Sequence, residues 1–170
     1  MAARVLVNTG QGKGKTTAAL GTAIRALGQG QRVRVFQFMK GSLPTGEIAV
    51  LQRLGIEVQR LGTGFSWTKD SWDEDRAMAA RGWEQARAAL ASGDWDLVVL
   101  DEINYVIGYG LLDPEAVAQA IRERAEKVNV ILTGRGLEPA IAAVADTITE
   151  MVPLKHGFDA GIKASQGIEF

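Results

Sequence analysis

Hydrophobic positions recur along this chain with two different periods, and the period switches back and forth from one end to the other. Residues 4–8, RVLVN, alternate as a short strand does, and residues 17–27 then change to helical spacing with Leu20, Ala23, Ile24 and Leu27 on one side. Gly28 and Gly30 stop that helix. RVRVFQF at 32–38 predicts a second strand with Val33, Val35 and Phe36 buried; GSLPTG predicts a loop, followed by a short helix at 46–54 and a strand from Glu57 to Leu61. An irregular stretch from Gly62 to Ser71 precedes a long alanine-rich helix whose inward stripe is Ala79, Trp83, Ala86 and Leu90. Strand signals return at DLVVL, 96–100, and VNVIL, 128–132, separated by an amphipathic segment that Pro114 can open at its first turn. A last short strand runs from Thr147 to Met151. Dry strands alternating with helices need cover on both faces, which predicts an α/β fold of three layers around a mainly parallel sheet. The closing KHGFDAGIKASQGIEF has three glycines and no clear period, and fits a frayed tail or an ordered lid equally.

Length adds that the 170 residues suit one domain, 1–170, with a core of its own. Cysteine is absent, so neither a disulfide scaffold nor a cysteine metal cluster can form. MAARVLVNTG runs from apolar alternation straight into glycine, without the roughly 7–15 apolar residues of a signal peptide, and no apolar stretch approaches the ~20 residues that span a bilayer. A cytoplasmic protein is expected. Lysine and arginine total 19 against 20 acids, a formal charge of -1, so no basic field gathers nucleic acid. Local positive charge is a separate matter: Lys13, Lys15 and Lys40 lie near glycines and read either as a phosphate site or as solvated lysines.

The chemistry concentrates in TGQGKGKTT, set between the first strand and the first helix. Gly10, Gly12 and Gly14 accept backbone angles closed to larger residues and expose successive amides to an anion, while the new helix points its positive end at the same place. Lys15 supplies a compact charge to the terminal phosphates and Thr16 a hydroxyl to magnesium. The nucleotide-binding candidates are thus Gly10, Gln11, Gly12, Lys13, Gly14, Lys15, Thr16 and Thr17, within a P-loop NTPase-like architecture. One departure stands out. The strict motif puts its first glycine at Thr9, whereas here Gly10 leaves only three residues before Gly14, which alters the curvature of the cradle. DLVVLDEI ends a buried strand in acid, bringing Asp101 or Glu102 to the sheet edge as magnesium ligands, one directly and the other through water. Arg135, in TGRG after another strand, can add a forked donor to the phosphates. These residues alone are compatible with a small-molecule kinase or with a nucleotide-dependent binding module.

Taken together, TGQGKGKTTAALGTAIRALGQG, VFQFMKG, TGFSW, VVLDEINY, TGRG and KHGFDAGIKASQGI extend over nearly the whole chain, and in combination they resemble the ATP:corrinoid adenosyltransferases of the bacterial CobA/BtuR type. The resemblance implies a homodimeric α/β enzyme that moves the 5'-deoxyadenosyl group of ATP to Co(I) of a corrinoid and releases triphosphate. It implies that the triphosphate lies reversed on Gly10–Thr16, presenting C5' of the ribose to the corrinoid. Thr16 and Glu102 then look like magnesium ligands with Asp101 in support, Lys15 and Arg135 neutralise the leaving group, and Phe65 and Trp67 lie by the lower face of the corrin, where they exclude an axial ligand. A reductase that delivers Co(I) becomes a transient partner. His156, the one histidine, positions a lid, a phosphate or corrin side chains. Two departures accompany the likeness: Gln11 stands where family members commonly have Asn, and the sequence starts a few residues before its first strand, whereas some members carry an N-terminal covering segment.

Overall fold

The computed structural model describes residues 2–39, 45–62 and 73–169. Six strands, β1 (Val5–Thr9), β2 (Val33–Gln37), β3 (Glu57–Arg60), β4 (Leu97–Asp101), β5 (Asn129–Thr133) and β6 (Thr147–Glu150), form one sheet in the order β3-β2-β4-β5-β1-β6. Every pairing is parallel. The helices between them are α1 (Lys15–Gly28), α2 (Gly46–Arg53), α3 (Asp73–Ser92), α4 (Ile103–Gly108), α5 (Pro114–Arg122) and α6 (Pro139–Ala142), and a single 3-10 turn covers Phe158–Ala160.

Strand β4 shows why the sheet must be covered twice. Side chains alternate between faces with a period of two, and on β4 both sets are buried and, up to the terminal Asp101, apolar. Leu97 and Val99 join Ala19, Leu20, Ala23 and Leu51 in a core beneath α1 and α2. Val98 and Leu100 join Trp83, Leu90, Ile103 and Ile121 in a core beneath α3, α4 and α5. The three-layer α/β architecture expected from the sequence is therefore present, with the sheet parallel throughout. The stripe Ala79, Trp83, Ala86 and Leu90 is buried along α3 as expected. Pro114 occupies the start of α5, where the Asp113 carboxylate accepts from the amide of Glu115 at 3.2 Å.

Two expectations need adjusting. Helix α1 turns inward through Ala19, Leu20, Ala23 and Ala26, while Ile24 is 45% exposed. Small residues allow a helix to approach a sheet closely, so the alanines, and not the bulkier Ile24, face it. Helix α4 follows β4 with only Glu102 between them, and α6 is four residues long; neither extends over enough turns to display a helical period. Strand β6 is exposed at all four positions, as befits the edge of the sheet.

Leu100→Ala, which opens a cavity at a fully buried site, is expected to cost about 2–5 kcal/mol. Ile24→Ala should remain within about 0.5 kcal/mol of the parent. Urea titration of both variants checks the assignment of α1's outer face, which an equal loss from Ile24→Ala would contradict.

Candidate functional site

Because all the strands run one way, β1, β4, β5 and β6 deliver their last residues to the same edge of the sheet. From Thr9 the chain enters the glycine loop and reaches α1 at Lys15. Gly10 and Gly14 have φ of 95° and 103°, in the left-handed region that favours glycine. Gly10 and Gly12 meet a second demand. The amide of Gly12 donates to the Met151 carbonyl at 2.6 Å and that of Met151 to the Thr9 carbonyl at 2.9 Å. A Cβ on Gly10 or Gly12 would stand 2.5 or 2.7 Å from the Met151 oxygen. The loop is thus clamped to the chain leaving β6. Where Asp113 caps α5, no side chain caps α1, so its first amides are directed toward whatever anion the loop receives.

The Lys15 ammonium donates to the carbonyls of Gly10 at 2.8 Å and Gly12 at 2.6 Å, bracing the loop from within. Burial, repulsion from Arg135 and a weaker opposing attraction to Glu102 leave its pKa below the ordinary lysine value. Arg135 reaches across the loop, its Nη2 donating to the Gln11 carbonyl at 3.3 Å. Beneath them Asp101 is fully buried. Its Oδ1 accepts from the hydroxyls of Thr16 and Thr133, both at 2.8 Å, and its Oδ2 from the Gln37 amide at 3.1 Å. Glu102, the next residue, has φ of 64° and is the non-glycine residue with positive φ among those described. Its amide donates to Thr133 Oγ1 at 2.8 Å, and its half-buried side chain borders the cleft.

That cleft, of about 210 Å³, is lined from the loop by Gly12, Lys13, Gly14, Lys15, Thr16 and Thr17. The rest of its lining is Glu102, Tyr105, Thr133, Gly134 and Arg135. Sequence-derived candidates from three separate segments thereby meet in one place. Gly10 and Gln11 shape the loop without lining the cleft, and Asp101 lies behind it. Phe65, Trp67 and Lys40 fall outside the described residues. Gln37, Asn104, Tyr105 and Thr133 were missed, although polar residues closing apolar strands, as Gln37 and Thr133 do, are a usable signal. Burial raises the Tyr105 pKa, partly opposed by Arg135. Two larger hollows, of about 510 and 700 Å³, flank Ala2, Ala3 and Lys127 and contain none of these groups.

The oxygen-rich donor set suits a hard cation. Thr16 and Glu102 border the space a polyphosphate would fill, and no cluster of three His, Cys, Asp or Glu side chains occurs among the described residues, so a metal here would depend on substrate oxygens. This is how magnesium usually binds beside phosphates.

A family model described as ATP:corrinoid adenosyltransferase BtuR/CobO/CobP matches residues 2–170. The chain belongs to this family. It is 46% identical over 166 residues to the corrinoid adenosyltransferase of Escherichia coli (strain K12), the alignment covering 98% of this chain and 85% of that protein. Identity to the corrinoid adenosyltransferase CobA of Salmonella typhimurium (strain LT2) is 45%, with the same coverage. For the corrinoid adenosyltransferase of Pseudomonas aeruginosa it is 44% over 168 residues, covering 98% and 83%. In this member of the family, the segment after β6 returns to the glycine loop at its far end. There Glu169 pairs with Lys13 at 2.5 Å and accepts from the Ser165 amide at 2.7 Å. His156 takes a local role, its Nδ1 accepting from the Phe158 amide at 3.1 Å.

The Met151 clamp separates two kinds of glycine. Gly12→Ala, which forces a Cβ against the Met151 carbonyl, is expected to destabilise by about 1–3 kcal/mol. Gly21→Ala on α1, with nothing within 4 Å, should stabilise by about 0.5–1 kcal/mol. Thermal and urea unfolding of the pair decide this, and a harmless Gly12→Ala would refute the clamp.

Proposed function

We propose that this chain transfers the 5'-deoxyadenosyl group of ATP to the Co(I) centre of a reduced corrinoid, releasing triphosphate, in cobalamin biosynthesis or salvage. Membership of the ATP:corrinoid adenosyltransferase family supports the two substrates. The observation that carries the reading to particular residues is the shared cleft, which the glycine loop, Glu102 and Arg135 line together. The electron pair of Co(I) attacks C5', a cobalt–carbon bond forms, and the bond from C5' to the triphosphate oxygen breaks. No proton has to be removed from the nucleophile, which leaves the protein with the charge of the departing polyphosphate.

Lys15, Arg135 and the loop amides take that charge, since preorganised donors act most strongly where charge develops. Thr16 and Glu102 would hold magnesium, with Asp101 orienting the Thr16 hydroxyl from behind. Magnesium bound there would neutralise phosphate oxygens as a Lewis acid. Gln11, Lys13 and Thr17 complete the nucleotide-contacting loop. Phe65 and Trp67 deny cobalt a lower axial ligand and so ease its reduction. The proposal further comprises a cytoplasmic homodimer folded as one domain over residues 1–170, with a reductase as transient partner. No helix among the described residues is long and apolar enough to cross a membrane.

Lys15→Ala should lower single-turnover adenosylation about 10²–10³-fold, with product analysis showing triphosphate and adenosylated corrinoid for the parent. ADP and a phosphorylated acceptor from the parent would establish a kinase instead, and normal turnover by Lys15→Ala would remove Lys15 from the site. The ammonium is the binding form, and bound polyphosphate raises its pKa. Affinity for tripolyphosphate should therefore fall as the pH rises through the lowered pKa of free Lys15, earlier than for an ordinary lysine at 10.5. Lys15→Arg should move that fall to higher pH; calorimetry across pH tests the shift.

Phe65→Ala and Trp67→Ala are expected to impair turnover more strongly from Co(II) than from chemically supplied Co(I). Spectra of the bound Co(II) corrinoid with ATP should show loss of the four-coordinate signal. Unchanged spectra with equal losses from both oxidation states would reassign the two aromatics to packing.

A further inference from the structure

Asn104 lies two residues beyond Glu102, in the first turn of α4, and is 1% exposed. Its neighbours along the helix, Ile103, Val106 and Ile107, are core residues. Asn104 Oδ1 is buried without a hydrogen-bond partner among the described residues, a costly arrangement that an apolar side chain would avoid. Packing alone therefore gives no reason for an amide here.

Its Nδ2 donates to the Gly134 carbonyl at 3.3 Å. Gly134 has φ of 129°, and a Cβ there would stand 2.9 Å from Asn104 Cβ and 3.2 Å from the Tyr105 amide nitrogen. The backbone of TGRG thus rests directly on the first turn of α4, and the amide of Asn104 fastens it. One residue further on is Arg135. The two segments are joined at a second rung by the bond from the Glu102 amide to Thr133 Oγ1. Residues 102–104 and 133–135 form a short ladder with an acid on one rail and a guanidinium on the other, both bordering the cleft.

We propose that Asn104 is a positioning residue for Arg135: by pinning Gly134 to α4 it holds the guanidinium of Arg135 at the cleft that Glu102 also borders, so that both meet the same polyphosphate. This rests on the role of Arg135 proposed above and adds how that role is secured. Asn104 itself does not line the cleft and touches no phosphate in this scheme; its effect passes through Arg135.

A double-mutant cycle read by calorimetric binding of inorganic tripolyphosphate to the full chain separates this from a general structural role. Arg135→Ala should weaken binding about tenfold and Asn104→Leu about three- to tenfold, with the double variant no weaker than Arg135→Ala alone. Asn104→Leu keeps a branched side chain of four heavy atoms and removes the unpartnered oxygen but adds volume, so its two effects on the thermal midpoint oppose each other. Asn104→Ala, carried through the same cycle, should show the same non-additivity and serves if leucine disturbs the packing. Losses that add with those of Arg135→Ala, or Asn104 variants that bind like the parent, overturn the inference while leaving Arg135 in its proposed role. Parent-like binding by Arg135→Ala overturns both together.

Discussion

One buried carboxylate ties the site together. Asp101 is removed from solvent at the end of the central strand β4, and such a charge is tolerable only when its oxygens are hydrogen-bonded. The bonds come from Thr16 on α1, Thr133 on β5 and Gln37 on β2. Register makes this possible, because β2 and β4 pair Gln37 with Asp101, while Leu100 opposite Leu132 brings Thr133 alongside. Satisfying this one group therefore aligns the first turn of α1 with three strand ends. The glycine loop hangs between that first turn and β1, and is fastened further by the Met151 carbonyl, by Lys15 and by Arg135. A phosphate cradle made largely of glycine acquires its shape from these attachments.

Local pattern carries much of this. Apolar strands alternating with helices announce three layers, and the glycine run announces an anion site because a strand precedes it and a helix follows. The period fails where elements are short or where size outweighs hydrophobicity. Helix α4 is six residues long and starts at once after β4, so INYVIG reads as apolar chain without a face. In α1 a hydrophobicity ranking favours Ile24, but close approach to the sheet selects Ala19, Ala23 and Ala26. The deeper omissions concern partners distant in sequence. Nothing near Gly10 or Gly12 points to Met151, and nothing near Asp101 points to Gln37 or Thr133, because strand order is not written in any local window. Family resemblance supplied the reaction, and the structure adds the partners that hold Lys15, Glu102 and Arg135 in place.

The site also divides into parts of different character. Asp101, Asn104 and Thr133 are buried, and the cleft wall they support is set by packing. The chain beyond β6 is of another kind, with Leu154 97% and Phe158 82% exposed. Its sequence is equally compatible with a tail or a lid. Its far end nevertheless reaches the loop through Glu169 and Lys13, a solvent-facing ion pair of the sort that contributes little to stability. A contact of that strength can order a segment beside a polyanion site while yielding readily to an anion that competes for the same lysine.

The backbone at Glu102 has a wider consequence. A side chain other than glycine at φ of 64° costs about 1–2 kcal/mol. The strain belongs to the turn that takes the chain from β4 into α4 while directing the carboxylate to the cleft. Glycine would relax the turn and lose the carboxylate. Directed evolution that rewards heat tolerance alone would therefore be drawn toward replacing Glu102, and a stabilised scaffold obtained that way would be expected to lose chemistry at this position. Thermostability screens on this protein need an activity readout from the first round.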